Sequence, residues 1–469
     1  MIKALGVART IVSFGGAGYC YGMSEKPSRT TIIARRIAAD RSAGPGALAG
    51  VLCLISLALI ASARADLPAF PGAEGFGAKS IGGRGGRVIR VTNLNGSGPG
   101  SLEHACQAEG PRIVVFAVAG VIRGDVAIAH SRITIAGQTA PAPGITIAGR
   151  LLARPAVAPV LHDIIVQHLR IRPPPMPGYD GDVVQLPHVT RVMLDHLSLA
   201  WGTDEMIDVS HASDLTLQWS TVEESDPLGH GKKVPHNFAF FSAYAGSGNI
   251  SVHRNLFAHH ARRLPTLAPA ERERPADFRN NVVYNFRDGL SHEGHAPRSA
   301  INLVGNYYKR GPDADKILLF TFDPRGDYYI ADNYVDGIGV LGDPRRTRAA
   351  LPSWLRVKGD GGVREAPAPI PLITTLTPLE AYRQVLRYAG AFPRDRITLR
   401  SVREVQDGTG AWGRHGPADP SDAWLLADIK TERPTPDRDM DGMSDSWERR
   451  HGLSPVDAAD AGRVMHSGY

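Results

Sequence analysis

The sequence predicts an all-β solenoid, and three observations carry that expectation. Short strands rich in Val and Ile recur from Val88 to about Asn333, broken by turns that draw on 51 glycines. Amphipathic helices between the strands are missing, which argues against an alternating β/α architecture. The later strand centres, near Val166, Met193, Leu217, Val252, Asn281, Leu303 and Tyr329, are 22 to 35 residues apart, mostly in the twenties. That spacing suits coils that each stack on the one before, with insertions bulging as loops.

The chain opens on an export signal. Arg35, Arg36 and Arg41 precede an apolar run from about Ala47 to Ala61, and Ala63-Arg64-Ala65 offers a small-residue cleavage site. Residues 1–65 are therefore expected to leave as a leader, with the exported chain starting at Asp66. The leader is long, which points to Met23 or a nearby residue as the true start. Residues 1–65 hold eight basic and two acidic side chains, so the net charge of +6 resides in the leader and the remainder is formally neutral. The basic pI thus gives no argument for a nucleic-acid partner. Cys20 and Cys53 leave with the leader and Cys106 stays alone, so export proceeds without an internal disulfide. A secreted monomer with no membrane contact is expected, in the periplasm or the medium.

The strands expected in order are Arg112–Val118, Ile133–Ala136, Ile145–Ala148, Asp163–Leu169, Arg191–Leu197, Leu215–Trp219, Ile250–Arg254, Asp277–Val283, Ile301–Val304 and Tyr328–Ile330. Asn255, Asn280, Asn281, Asn306 and Asn333 fall at strand ends, where stacked amides can pair from coil to coil. The solenoid is expected over 66–350. Residues 351–376, rich in Pro and charge, read as a linker. A C-terminal segment over 377–469 begins with a short helix at Thr377–Ala391, ended by Gly390 and Pro393.

The acids come next. Asp180 and Asp182 precede one strand, and Asp204 and Asp208 follow one coil later. If the coil period holds, Asp182, Asp204 and Asp208 share a face. Carboxylates brought that close raise one another's pKa, and a hard cation such as calcium relieves the repulsion. Two cationic stretches face them in the chain order: Lys232, Lys233 and His236 in one loop, and Arg262-Arg263 before Leu264-Pro265 in another. Carboxylates that hold a metal, set beside cations, suit a polyanionic sugar. On chemistry alone Arg263, Lys232, Lys233 and His236 are level as a proton-abstracting base, since arginine's pKa is high and those of lysine and histidine move more readily.

Several segments together resemble secreted pectate lyases of polysaccharide lyase family 1. They are Phe70-Pro71-Gly72-Ala73-Glu74-Gly75-Phe76-Gly77, Gly98-Pro99-Gly100-Ser101-Leu102, Ala136-Gly137-Gln138-Thr139-Ala140-Pro141, Asp195-His196-Leu197-Ser198 and Trp201-Gly202-Thr203-Asp204-Glu205. The resemblance covers roughly residues 68–335. It implies a right-handed parallel β-helix and calcium-dependent β-elimination of polygalacturonate, the acidic backbone of pectin. It also implies that Asp180 and Asp182 form the first calcium-ligand segment, Asp204 and Asp208 the second, Arg263 the base, and Lys232 or Lys233 the substrate-binding lysine. The sequence departs from the family pattern at Ala268, where an arginine often stands three residues after the proline; Arg262 is the candidate to compensate. Two rival readings need no such chemistry. A β-helix glycoside hydrolase would use two carboxylates without metal, and a non-catalytic polyuronate-binding solenoid would release no product.

A separate motif closes the chain. Asp437, Asp439, Asp441, Asp445 and Glu448 take positions 1, 3, 5, 9 and 12 of an EF-hand-like calcium loop over 437–448, with Gly442 at position 6. No helix precedes it, so a structural role far from catalysis is expected.

Overall fold

The computed structural model describes residues 67–157, 160–175, 181–227, 236–291, 299–433 and 435–462. The expected leader, Asp180, Lys232 and Lys233 lie outside the described residues.

One coil conveys the plan. Val189–Asp195 forms a strand of sheet A. A two-residue corner, His196-Leu197, turns the chain into Ser198–Ala200 of sheet B. The loop from Trp201 to Asp204 leads into Glu205–Asp208 of sheet C, and the chain then returns to sheet A at Ser213–Gln218. Corresponding strands of successive coils pair in parallel, as Val192 with Leu215 and Ser198 with Thr221. Among the described residues sheet A has 11 strands, sheet B 10 and sheet C 6; a further sheet of 3 is joined to sheet C by a bridge between Thr266 and Ser291. The fold is a right-handed parallel β-helix, the hand that parallel crossovers adopt. Leu, Val and Ile from all three sheets fill its interior as stacked rows.

The corner between sheets A and B explains the repeat. Its first residue is left-handed in every coil from His168 onward: His168, His196, Trp219, Arg254, Asn280, Gly305 and Asp332 have φ between 49° and 63°. At this corner His168 stacks on His196 with centroids 4.6 Å apart. The second corner residue points inward, where the asparagine ladder forms. Asn255 Nδ2 donates to Asn281 Oδ1 at 3.0 Å, Asn281 to Asn306 at 3.1 Å and Asn306 to Asn333 at 2.9 Å. Each Oδ1 also accepts a backbone N–H from the coil before, as Asn281 Oδ1 does from Asn255 N. The ladder leaves no buried amide orphaned, and losing one rung costs on the order of 1–3 kcal/mol per unsatisfied group. Asn280 is not a rung. It is the left-handed corner residue, and its amide clasps the backbone of Leu376.

Three expectations need correction. The single strand expected at Asp277–Val283 is two, Ala276–Arg279 in sheet A and Val282–Phe286 in sheet B, because the Asn280-Asn281 corner separates them. The linker expected over 351–376 is in part solenoid: Leu355–Lys358 pairs with Ile317–Thr321, and Gly362–Val363 extends sheet A. A short helix lies between the first two strands of sheet A, against the expectation of none between strands, whereas the helix expected at Thr377–Ala391 is present as Pro378–Tyr388. Leu102–Gln107 packs Leu102, Ala105 and Cys106 onto the first coil, and buried Arg112 donates to the carbonyls of Ala105 and Cys106. Pro378–Tyr388, N-capped by Thr377, and Arg396–Asp407 cover the outer face of sheet B through Val385, Leu386, Val402 and Val405. Asp395 caps the second of these and pairs with Arg172 at 3.0 Å, both fully buried. Among the described residues no helix is long and apolar enough to cross a membrane.

Two histidines in this core set an acid limit on stability. Burial holds His253 and His260 neutral and pushes both imidazoles down to about 3 from 6.5. Between those values the unfolded chain binds a proton that the folded chain refuses, so stability falls as pH falls below 6.5. At about pH 5 the loss is roughly 2 kcal/mol per histidine, since each pH unit is worth about 1.4 kcal/mol. Denaturant midpoints measured between neutral pH and about pH 5 check this, and His253→Gln should flatten the slope.

Candidate active site

The site is built where sheet B hands over to sheet C, the side on which the coils carry their longest loops. Gly181-Asp182 is fixed from the next coil: the N–H groups of Thr203 and Asp204 donate to Gly181 O, and Gly181 N donates to Thr203 Oγ1 at 3.0 Å. Asp182 Oδ1 accepts from Glu205 N at 3.0 Å and its Oδ2 from Gln185 Nε2 at 3.0 Å. Gly202 is required for this approach, because a Cβ there would lie 2.6 Å from Glu205 O.

The result is a group of three carboxylates. Asp182, Asp204 and Glu205 each offer an oxygen, and these lie within 4.8 Å of one another. Asp182 and Glu205 are buried and Asp204 is half-buried. Burial, then the charges of Asp208 and Asp204, push Asp182 well above the usual carboxylate range. Asp208 is also raised, by burial first and then by Asp204. Asp208 itself stands beside the group rather than in it, its Oδ1 accepting from Ser210 N at 2.7 Å. Asp208 stays close enough that its charge acts on Asp182 ahead of that of Asp204, and Glu205 joins the group as a residue to which the sequence reading gave no role.

The cations approach from the next two coils. His236 Nδ1 meets Asp204 Oδ1 at 2.5 Å. Arg263, in the left-handed region with φ 59°, pairs with Glu205 and lies over the rings of Phe238 and Phe241, at 4.2 and 4.8 Å from their centroids. Register explains this meeting: Glu205 sits opposite Phe238 in sheet C, and Phe238 bridges to Arg262 in the following coil. Arg262 turns away to Asp288, Nε to Oδ2 at 3.0 Å. Arg262, Arg263, Phe238, Asp288, Ser291, Leu318 and Thr321 line an open cleft of about 200 Å³. At the departure from the family pattern, Ala268 is fully buried against Phe241 and Ala243.

No family model matches the chain. Relatives do. A probable pectate lyase C from Aspergillus fumigatus is 33% identical over 426 residues, which span 89% of this chain and 94% of that protein. One from Neosartorya fischeri is 33% identical over 429 residues, with the same coverage. The chain belongs to the pectate lyase family. It is therefore a polysaccharide lyase. Among solved structures, one pectate lyase is 14% identical, spans 70% of this chain and 98% of its own, and has a TM-score of 0.49. The cedar pollen allergen Jun a 1 is 16% identical, spans 68% and 92%, and has a TM-score of 0.41.

Most motifs that carried the pectate lyase resemblance are structural. The segment Phe70–Gly77 straps the outer face of sheet A: Gly77 N donates to Thr216 Oγ1, and a Cβ on Gly77 would lie 2.1 Å from Val192 O. Glu74 in the same strap pairs with Arg254 at 2.8 Å. Asp195 is held by Gln167, Gln218 and His196 in a polar row across four coils that starts at Gln138. Trp201 packs beneath Trp424 and donates to Glu224.

The C-terminal loop of this pectate lyase is a second acidic group. Asp437, Asp439 and Asp441 lie within 4.8 Å of one another, as do Asp441, Glu448 and Asp460. Asp445, the expected ninth-position ligand, is in neither group. Its oxygens accept from Arg438 N at 3.0 Å, Arg438 Nε at 2.7 Å and Arg449 at 3.1 Å. The sequence reading missed Asp460, because it lies outside the loop motif.

Proposed function

We propose that this chain is an exported pectate lyase that cleaves polygalacturonate by calcium-assisted β-elimination, leaving 4,5-unsaturated oligogalacturonides. The observation that carries the reading is the group Asp182, Asp204 and Glu205 placed against Arg263. The donor set fits calcium: it is all oxygen, two of its three members are buried, and burial, then the charge of its neighbours, already disfavour ionised Asp182. Asp180, Asp182, Asp204 and Asp208, with Glu205 beside them, would hold the ion. A bound ion supplies charge neutralisation for these acids and for the substrate's C6 carboxylate, which acidifies the C5 proton.

The chain's own residues set up the rest. Arg263 takes the C5 proton, the C5–H electron pair becomes the C4=C5 bond, and O4 leaves with its bonding pair and takes up a proton from water. To accept the C5 proton, Arg263 must first release one of its own to solvent, which the pairing with Glu205 opposes. The reaction therefore needs Glu205 drawn away from the guanidinium, and Phe238 and Phe241 keep that guanidinium in place when it is. Arg262, His236 and the lysines 232 and 233 hold neighbouring uronates.

Export is supported by the basic, apolar and small-residue order of residues 1–65. The reading is tested by digesting polygalacturonate with the purified protein and examining the new non-reducing ends by NMR. Ends carrying a C4=C5 double bond are expected; saturated ends alone would give the hydrolase reading instead.

A further inference from the structure

The acids of the C-terminal loop hold buried oxygens with nothing to meet. Asp437 Oδ1, Asp439 Oδ2, Asp441 Oδ2, both Oε atoms of Glu448 and Asp460 Oδ1 are buried and have no hydrogen-bond partner among the described residues. Glu448 is 0% exposed and Asp441 9%. Six carboxylate oxygens sunk together without a donor are costly, because a buried anion needs a hydrogen bond or an opposite charge. Six is also within the number of oxygens that calcium accepts, and a bidentate glutamate is its usual closing ligand.

The same loop touches the start of the solenoid. Asp437 Oδ2 pairs with Arg90 at 3.3 Å, while its other oxygen is one of the six. Gly442, with φ 97°, rests on sheet A: a Cβ there would lie 3.2 Å from Val115 Cγ1 and 3.4 Å from Val88 Cγ1. Val88 and Arg90 lie in the first strand of sheet A and Val115 in the second.

We propose that these residues form a calcium site completed by Asp460 instead of the loop's ninth residue, and that the bound ion latches the C-terminal segment onto the first two coils. Asp460 comes from the single turn Ala458–Gly462, so one ion ties the loop, the helix Asp445–His451 and that turn together. Asp445 is freed to organise the loop through Arg438 and Arg449. With the ion gone, five acids repel one another, and the loop loses the shape that sets Asp437 on Arg90 and Gly442 on the valines. The inference does not rest on the elimination reading, since these residues are remote in the fold from Asp182 and Arg263.

The test is calcium binding by calorimetry on the purified protein carrying Asp182→Asn, which removes the other candidate ligand group from the count. One ion should remain. Glu448→Gln should abolish its binding, Asp460→Asn should weaken it about tenfold or more, and Asp445→Asn should change it by less than about threefold. The glutamine and asparagine changes remove repulsion, so the folded chain should tolerate them, and circular dichroism checks that. Limited proteolysis supplies the second readout: calcium should protect residues 437–462 from cleavage, but not in Glu448→Gln, and Arg90→Ala should cut faster at equal calcium occupancy. No retained ion in Asp182→Asn, a loss in Asp445→Asn with none in Asp460→Asn, or cleavage indifferent to calcium would each overturn the proposal.

Discussion

Replacing Arg263 by alanine lowers kcat on polygalacturonate by about a thousandfold, within the range that a positioned proton acceptor contributes. Three features of the site set that expectation. Arg263 lies on the cleft wall beside Asp182, Asp204 and Glu205, the acids that would hold the substrate's carboxylate through calcium. Its position is fixed by two aromatic rings and a left-handed backbone. Its neighbour Arg262 is turned away from the acids to Asp288. Arg263→Lys keeps the charge but not the planar stacking on Phe238 and Phe241, so it should retain little more activity than alanine. Both variants leave KM nearly unchanged if Arg262 and the loop lysines hold the polymer. A large rise in KM with kcat intact would make Arg263 a binding residue and move the base elsewhere. Removing Arg263 also strips buried Glu205 of its partner, and in a chelator the alanine variant should lose about 3 kcal/mol of stability.

Asp182→Asn is the second large effect. Asp182 is buried, as Glu205 is, and its pKa is pushed up by burial and then by Asp208 and Asp204. Neutralising it removes a ligand charge from the place where calcium would be held. Half-maximal activity should then need about a hundredfold more calcium. In a chelator the same change relieves repulsion, so the variant should unfold at an equal or higher temperature than the parent. In millimolar calcium the order should reverse. That crossover separates a metal ligand from a purely structural aspartate, whose loss would destabilise the protein under both conditions.

The coil rhythm was legible because each strand is a short Val/Ile-rich run and the coils differ mainly in their loops: a 23-residue advance from Asp195 to Gln218, a 35-residue advance from Ser220 to Asn255. The corners were not legible. A left-handed His196, Trp219 or Arg254 has no composition signal, so Asp277–Val283 read as one strand across the Asn280-Asn281 corner. The ladder could be anticipated from its asparagines, but not which of Asn280 and Asn281 faces inward. At the site, Asp204 ends the loop that leads into the strand Glu205–Asp208, and Asp208 at the far end of that strand still acts on Asp182. The adjacent pair Asp204 and Glu205 therefore meets Asp182, because one comes from the loop and the other from the strand. Phe238, Phe241 and Asp288 reach the cleft through register between coils, and Asp460 reaches the calcium loop from outside its motif; neither leaves a mark in local sequence.

The central claim is that elimination depends on calcium held beside Arg263. It is tested most directly by following the ultraviolet absorbance of the unsaturated product with polygalacturonate, first in calcium, then after a chelator, then with calcium restored. Glu448→Gln serves as a parallel sample in which the C-terminal site is lost. In both proteins the absorbance should rise with calcium, stop with the chelator and resume when calcium returns. A rise that continues in the chelator would contradict the calcium-dependent mechanism.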